Sequence, residues 1–266
     1  MAPLFTPFHH GGSGPPLVLI HGVTDTWSTW NLVIPDLEKQ FEVLAVTMPG
    51  HAGGPAINGE FTADTLPAGI EAAMDEVGFV SAHVAGNSLG GWVALRVAER
   101  GRALSVTGLA PVGGWSDDFQ ERHAFDYFVT QQKLVKRAAP FAEQIASTPE
   151  GRRQATRFIV ENDSLITPEI VVRQIVGAAN CPAAMPLVKF ARNPGFLVDS
   201  GRIDCPVRFI WGTSDQLLRW PDTAVRFQAE WFPESEFVEL DGVGHCPQLE
   251  VPAETAEMIA GTTLLA

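Results

Sequence analysis

The sequence is short of positive charge. Its 266 residues include 18 lysines and arginines against 31 aspartates and glutamates, which gives a formal net charge of -13. A protein that binds nucleic acid needs a basic face for the phosphates. The charge balance therefore argues against a nucleic-acid partner, and it otherwise bears on solubility more than on fold.

Cysteine is also scarce. The three cysteines, Cys181, Cys205 and Cys246, lie far apart, and none belongs to a C-x-x-C pair of the kind found in metal and redox sites. An odd number of isolated cysteines provides no disulfide framework, so we expect a reducing compartment and a cytoplasmic location. We expect Cys246 to be a small packing residue, which is the usual role of a free cysteine, although it directly follows a histidine of interest.

Long apolar runs are missing too. No stretch approaches the roughly 20 apolar residues that a membrane-spanning helix needs. Residues 1–14 lack a basic segment followed by an apolar one, so we expect no signal peptide. Around His9 and His10 we expect a disordered or turn-forming lead-in. The chain also lacks repeats and linkers, and its length suits one large α/β domain, or a core domain with an insertion.

Short apolar runs alternate with amphipathic stretches in two parts of the chain. Such alternation predicts a mostly parallel sheet with helices on both faces. The predicted buried strands are residues 16–20, 41–47, 82–85, 104–110, 205–211 and 236–240. The predicted helices are residues 31–40, 63–77, 221–231, 252–260 and the stretch that follows Ser88.

The strand signal stops between these two parts. From residue 115 to residue 200 only helical signals occur, and Thr-Pro-Glu at 148–150 and at 167–169 is typical of an N-cap followed by a first-turn proline and acid. We therefore predict a helical cap, residues 115–200, inserted into a core domain of residues 1–114 and 201–266. The alternative is that these helices form one half of the core. The aromatic residues of this segment favour an apolar pocket beneath it; they are Phe119, Phe125 and Phe128.

One turn between a strand and a helix carries a chemical signature. Gly86-Asn87-Ser88-Leu89-Gly90 fits the G-x-S-x-G pattern of a nucleophile elbow. The glycines let strand and helix approach closely, so that the turn can hold Ser88 in a strained conformation at the N-terminus of a helix. These five residues also fit an ordinary glycine turn, so the motif predicts a nucleophile only if the rest of the chain supplies partners for Ser88.

Two more polar residues follow predicted strands. Asp215 comes after residues 205–211, and His245 comes after residues 236–240. Functional residues gather at the carboxyl ends of parallel strands, and the order serine, aspartate, histidine is the one expected for a nucleophile elbow. Asp117 or Asp118, after the preceding strand, is an alternative acid, and His245 could instead be a buried structural histidine.

Together these motifs resemble the α/β-hydrolase-fold superfamily, specifically its cap-bearing serine hydrolases of the carboxylesterase kind. The resemblance extends from about residue 16 to the C-terminus. It rests on His21-Gly22, Pro49-Gly50-His51, Gly86-x-Ser88-x-Gly90-Gly91, Trp211-Gly212-x-x-Asp215 and Gly244-His245.

The resemblance implies a catalytic role for three residues. Ser88 would be the nucleophile, His245 the base that activates it and then the acid that protonates the leaving group, and Asp215 the group that orients the imidazole. It implies neither a cofactor nor a metal.

The resemblance also implies an oxyanion hole, formed by the backbone N–H groups of Val23 and Leu89. His21 and Gly22 would support the loop that carries Val23. Nearby Thr24 and Asp25 either face the pocket or belong to an exposed loop.

The predicted function is that of a cofactor-free serine hydrolase acting on an apolar ester or related carbonyl compound through an acyl-enzyme. A serine nucleophile excludes the branch of the fold that uses aspartate, such as epoxide hydrolases. Two alternatives stay open. Gly86-Asn87-Ser88 resembles hydrolases that cleave carbon–carbon bonds in diketone-type ring-cleavage products, although the loop after His21-Gly22 lacks the further glycines expected there. The other is a ligand-binding or sensor protein that retains the triad. The oligomeric state is not predicted.

Overall fold

The computed structural model of the chain describes residues 4–115, 118–192 and 195–266, and for residues 118–127 it describes the backbone alone. Within these ranges one seven-stranded sheet runs through the molecule in the order β1-β3-β2-β4-β5-β6-β7. The strands are β1 (Phe8–Gly12), β2 (Pro16–Ile20), β3 (Glu42–Val46), β4 (Ala82–Asn87), β5 (Ala103–Leu109), β6 (Val207–Gly212) and β7 (Glu236–Leu240).

The six strands from β2 to β7 are parallel, as the alternation of strands and helices predicts. The register sets Ile20 beside Gly86, Asn87 beside Leu109 and Leu109 beside Ile210, so the strands end at nearly the same level. Residues that directly follow these strands therefore meet at one edge of the sheet.

The edge strand β1 corrects one expectation. Residues 8–12 form a strand antiparallel to β3, with His9 opposite Ala45 and His10 opposite Leu44, instead of the expected disordered or turn-forming lead-in. An edge strand is held by backbone pairing along one side and needs no apolar alternation. His9 also stacks on Trp27, with 5.2 Å between the ring centroids, and its Nε2 lies 2.6 Å from Glu38 Oε1. These contacts depend on the folded chain and leave no pattern in the sequence.

Helices cover both faces of the sheet. One core cluster includes Val18 and Ile20 of β2, and a second includes Leu17 and Leu19 of the same strand, so alternate residues are buried on opposite faces. The described helices are α1 (Ile34–Leu37), α2 (Thr65–Glu76), α3 (Leu89–Glu99), α4 (Asp118–Ala138), α5 (Ala142–Ala146), α6 (Pro149–Thr156), α7 (Pro168–Ala179), α8 (Ala184–Arg192), α9 (Pro247–Glu250) and α10 (Pro252–Thr263).

Two predicted helices are shorter than expected. Only Ile34–Leu37 of residues 31–40 is α-helical, after a 3₁₀ turn at Trp27–Trp30. Residues 221–231 begin as turns and end in a π-helical turn at Phe227–Trp231. Phe227 packs there against Phe209 of β6, with 5.1 Å between the ring centroids. Tertiary packing of this kind overrides local helix propensity.

The segment between β5 and β6 contains helices α4 to α8 and, in its described residues, no strand. Its two predicted N-caps are confirmed: Thr148 Oγ1 accepts from the amide of Gly151 at 3.0 Å, and Thr167 Oγ1 from that of Ile170 at 3.4 Å. A small separate core lies mostly within this segment and includes two residues that follow β7, Cys246 and Leu249. Its buried members are Ala142, Ala146, Val160, Ile166, Val171, Ile175, Cys246 and Leu249.

No single helix in the described ranges has the length and apolar character to cross a membrane, while α7 and α8 would satisfy both criteria only as a pair, with a 67° bend between them.

Candidate active site

The turn at Ser88 is strained and firmly held. Ser88 has φ 57° and ψ -117°, a conformation that is rare for a residue with a side chain. Its amide donates to the carbonyl of Leu109 at 2.8 Å, and its carbonyl accepts from the amides of Gly91 at 3.0 Å and Val112 at 3.2 Å. Such strain persists only where the surrounding structure imposes it, and such positions cluster at functional sites.

The glycines of the elbow are required by close packing. A Cβ added at Gly86 would collide with the backbone of Gly90 and Gly91, and one added at Gly90 would collide with the carbonyls of Ile20 and His21. Strand β4 and helix α3 therefore approach each other as the G-x-S-x-G pattern predicts. No side chain larger than hydrogen fits at either position without a shift of the backbone.

Asp215 and His245 form a buried hydrogen-bonded pair. His245 Nδ1 lies 2.7 Å from Asp215 Oδ2, and each residue is 4% exposed. Asp215 Oδ1 accepts from the amides of Leu217 and Leu218, both at 2.8 Å, which fixes the carboxylate. With Nδ1 donating to the carboxylate, Nε2 of the neutral ring is left as the acceptor.

The two alternative acids, Asp117 and Asp118, belong to the part of the chain whose side chains are not described. Asp117 lies outside the described residues, and Asp118 begins α4 in the range where only the backbone is described. Phe119 and Phe125 fall in the same range, whereas Phe128 lines the cavity described next.

A cavity of about 770 Å³ is lined by several of the predicted site residues, although Asp215 and His21 are not among them. Ser88 and His245 both line it, and so do Val23 and Leu89, the two residues predicted to form an oxyanion hole. Among the described residues, neither the Val23 amide nor the Leu89 amide donates to a protein acceptor. Both N–H groups are therefore available to a bound molecule.

The loop that carries Val23 contains an unusual backbone and an acid. Thr24 has φ 62°, an outlier for a β-branched residue. Asp25 is half-buried, and its Oδ1 accepts from the amide of Thr26 at 2.8 Å. Both residues line the cavity. Burial raises the pKa of Asp25 to about 6, although the hydrogen bonds from Thr26 and Thr29 act in the opposite direction and lower it.

His21 joins this loop to the loop after β3. Its Nδ1 donates to the carbonyl of Gly22 at 2.7 Å, and its Nε2 accepts from the amide of Met48 at 3.0 Å. The second bond requires the neutral ring, because both nitrogens of a protonated ring are donors. Burial, reinforced by His51 at 4.9 Å between ring centroids, holds the pKa of His21 well below its usual value. Gly22 is less constrained, because a Cβ there would make only ordinary contacts with Asn87 and Ser88.

Asn87 has more contacts than its place in a turn indicates. Its Nδ2 donates to the carbonyls of Leu109 at 3.2 Å and His245 at 3.0 Å, and its Oδ1 accepts from Gln248 Nε2 at 3.1 Å. The side chain therefore links the elbow to the His245 loop. The sequence carries no signal for this link beyond the position of Asn87 next to the serine.

Glu250 is a second supporting residue of the His245 loop, and it too has no signal in the sequence. This buried carboxylate accepts from Gly244 N and Glu161 N through Oε2 and from Asn162 N through Oε1, all at 3.0 Å. The amide of Cys246 donates to Ile159 O at 2.8 Å. The His245 loop is thus bonded directly to the helical segment. A buried glutamate at the end of a short helix has no motif by which the sequence could have revealed it.

Cys246 lies buried between these groups. Its Sγ contacts Asn87 Oδ1 at 3.4 Å, and burial, together with nearby Asp25 and Asp215, raises the pKa of the thiol well above its usual value. A thiol in this environment stays protonated and unreactive. The described residues contain no cluster of three or more potential metal-binding side chains.

Comparisons with known proteins identify the family and the fold of this chain. The sequence model described as the alpha/beta hydrolase family matches residues 17–258. Epoxide hydrolase EphH of Mycobacterium tuberculosis is 32% identical over 193 residues, which are 71% of this chain and 89% of that protein. The 2-hydroxymuconate semialdehyde hydrolase of Pseudomonas sp. strain CF600 is 26% identical over 275 residues, 96% of this chain and 88% of that protein.

Among solved structures, a hydrolase from Rhodococcus sp. strain RHA1 superimposes with a TM-score of 0.73 at 20% identity. The match covers 98% of this chain and 97% of that one, whose substrate is named as 2-hydroxy-6-oxo-6-phenylhexa-2,4-dienoate. At this identity the likeness shows the fold alone.

Proposed function

This chain belongs to the alpha/beta hydrolase family, and from that premise we propose that it is a serine hydrolase that cleaves an apolar carboxylic ester, or a related carbonyl compound, through an acyl-enzyme. One observation carries the proposal: His245, which is hydrogen-bonded to the buried Asp215, lines the same cavity as the strained Ser88. The roles of these residues follow from their chemistry.

In the first step, Ser88 Oγ attacks the carbonyl carbon of the substrate while His245 Nε2 takes its proton. The hydrogen bond from Nδ1 to Asp215 holds the required tautomer and stabilises the imidazolium that forms. The carbonyl oxygen becomes an oxyanion, and the amides of Val23 and Leu89 donate to it. His245 then returns the proton to the leaving oxygen, and the acyl group stays on Ser88.

In the second step, water attacks the acyl-enzyme by the same route in reverse. His245 removes a proton from the water, and the two amides again bind the oxyanion. Collapse of this intermediate expels Ser88 Oγ, which takes the proton back from His245. Because the same donors serve both steps, the loss of either amide would slow both, by roughly 100- to 1000-fold for a single donor.

The relative named as an epoxide hydrolase does not change the proposed chemistry. An aspartate that opens an epoxide forms an ester, and water can cleave that ester at its carbonyl carbon. A serine that opened an epoxide would form an ether, which has no carbonyl for water to attack. With Ser88 at the elbow, turnover requires a substrate that already contains a carbonyl group.

A second candidate is hydrolysis of a carbon–carbon bond next to a carbonyl. The 26% identity to 2-hydroxymuconate semialdehyde hydrolase, which extends over 96% of this chain, favours it. Asp25 argues against an anionic substrate in this part of the cavity, because its carboxylate would repel the substrate once ionised. An assay with a dienol ring-cleavage product as substrate separates this candidate from ester hydrolysis. Carbon–carbon hydrolysis would be seen as a loss of the dienol absorbance.

We also propose that residues 115–200 act as a cap over the site. Helices α4, α6 and α7 all contribute lining residues to the cavity, and part of the segment has its own small core. The cap would limit which molecules reach Ser88. A cytoplasmic location stays a prediction from the three free cysteines.

The test combines turnover with covalent labelling. Wild-type protein and Ser88→Ala would be assayed with nitrophenyl esters of increasing acyl length, with the exposed Ser164→Ala as the matched control. We expect loss of hydrolysis in Ser88→Ala alone, and fluorophosphonate adducts on Ser88 alone by mass spectrometry. A label on another residue, or undiminished activity of Ser88→Ala, would overturn the proposal. A stoichiometric burst without turnover would favour the ligand-binding alternative.

A further inference from the structure

The cavity wall contains a buried amide oxygen that has no hydrogen-bond partner among the described residues. This oxygen is Oε1 of Gln132, a residue of α4 that lines the cavity and is 6% exposed. An unpaired buried polar atom carries the full cost of its lost hydration. Native proteins seldom retain such an atom unless something else satisfies it.

The cavity-lining neighbours of Gln132 on the same face of α4 are apolar. Phe128 and Val135, four residues before it and three residues after it on α4, lie on the same face of the helix and also line the cavity. Gln132 therefore interrupts an apolar stripe. A leucine or methionine would fill this position without leaving a polar atom unpaired, so the amide is better explained by a ligand than by packing.

The charged residues that line the cavity limit which ligands Gln132 can bind. Among the described lining residues, the two arginines, Arg157 and Arg219, are both exposed. The acids among them include Asp25, which is half-buried. A carboxylate carried deep into this cavity would meet no buried positive charge, and burying an unpaired charge is costly. The group that Gln132 binds is therefore neutral.

An amide can rotate to present either its oxygen or its NH₂ group. A hydroxyl group satisfies both orientations, because it donates and accepts. We propose that Gln132 is a specificity-determining residue that selects substrates bearing a hydroxyl group on an otherwise apolar acyl chain. This inference rests on the proposed ester hydrolysis at Ser88 and adds the substrate class to it.

A substrate without the hydroxyl would leave the amide unpaired in the complex as well. Sites built to hydrogen-bond a substrate group discriminate strongly against analogues that lack it. For one neutral hydrogen bond we expect a preference of about 10- to 100-fold in kcat/KM.

The experiment compares nitrophenyl esters that differ only by one hydroxyl group, with the hydroxyl moved outward along the acyl chain from the third carbon. We expect wild-type protein to prefer at least one hydroxylated ester over its unsubstituted counterpart. Gln132→Met, which is apolar and of similar length, should lose that preference, and Gln132→Glu should keep it because an acceptor oxygen remains. Gln144→Met, an exposed position on α5, is the matched control.

A merely structural role for Gln132 predicts that Gln132→Met slows both esters of a pair equally, which would overturn the inference. So would a wild-type protein that prefers none of the hydroxylated esters. Absence of Ser88-dependent hydrolysis would instead count against the proposed function.

Binding to Ser88→Ala, measured as a thermal shift with the same ester pairs, tests the preference without turnover. There too the hydroxylated ester should give the larger shift, and an equal shift from both esters would contradict the role of Gln132. This measurement leaves Gln132 in place and therefore covers the case in which Gln132→Met fails to fold.

Discussion

Removal of the Glu250 carboxylate tests how the His245 loop is attached to the helical segment. Its two oxygens accept three backbone amides at 3.0 Å: Gly244 beside the histidine, and Glu161 and Asn162 between α6 and α7. Glu250→Ala leaves all three amides without this acceptor. Glu250→Gln keeps one acceptor oxygen but turns an NH₂ group toward at least one N–H group.

The magnitude follows from the number of bonds and from their exposure. A hydrogen bond to a charged group contributes about 1.5–3 kcal/mol. Glu161 and Asn162 are exposed residues, so water can replace part of what their amides lose, whereas Gly244 is buried. We therefore expect Glu250→Ala to lower the free energy of unfolding by about 3–5 kcal/mol and Glu250→Gln by about 1–3 kcal/mol. For a chain of this size that corresponds to a Tm lower by roughly 6–20 °C for the alanine variant.

The assay is urea unfolding at 25 °C, followed by tryptophan fluorescence, with the exposed Glu257→Gln of α10 as the matched control. We also expect kcat/KM on an ester to fall at least about tenfold in Glu250→Gln, since freeing Gly244 lets His245 move away from Ser88. The reasoning is refuted if Glu250→Ala unfolds within about 1 kcal/mol of wild type, because the three bonds would then contribute nothing measurable.

Three further substitutions have defined outcomes. Asp215→Asn should lower turnover about 10,000-fold by favouring the wrong histidine tautomer, with little change in the KM for an ester. Burial holds the pKa of His51 at about 4 in the folded protein, so as the pH falls the unfolded protein binds a proton at this residue first. The neutral His51 therefore contributes roughly 3 kcal/mol to the free energy of unfolding above about pH 6.5, and this contribution is lost as the pH falls toward 4. In His51→Asn the free energy of unfolding should fall less steeply between these two pH values. Asp25 has the opposite sign, because its raised pKa means that the folded protein retains a proton up to about pH 6. Asp25→Asn should therefore raise the Tm at pH 8 by more than at pH 4.5, and an equal shift at both values would contradict the raised pKa.

The sheet was predictable because its strands are buried on both faces. Residues 16–20 and 42–46 are almost continuously apolar, and such runs can hardly be anything but inner strands of a parallel sheet. Residues 8–12 show the limit of this reasoning. Phe8–Gly12 contains two histidines and two glycines, and it becomes a strand only because β3 offers a free edge.

The predicted site residues are predictable for a related reason. In a parallel sheet the residues that follow each strand share one edge, so Ser88, Asp215 and His245 can be located from strand ends alone. Their supporting groups cannot. Asn87, Glu250 and His21 act through backbone carbonyls and amides of remote segments, and a backbone partner carries no side-chain signature in the sequence.

The two parts of the chain should therefore respond differently to substitution. The strand ends of the sheet supply Ser88, His245 and the two amides proposed to bind the oxyanion, which any substrate of the proposed reaction must use. The helical segment supplies Gln132, which only some substrates can satisfy. Changes at the strand ends should lower kcat/KM for every ester by a similar factor, whereas changes on the cavity face of α4 should alter the ratio between esters. The spacing of Phe128, Gln132 and Val135 is visible in the sequence, but the cavity that Gln132 lines is not, nor is the lack of a partner for its oxygen among the described residues.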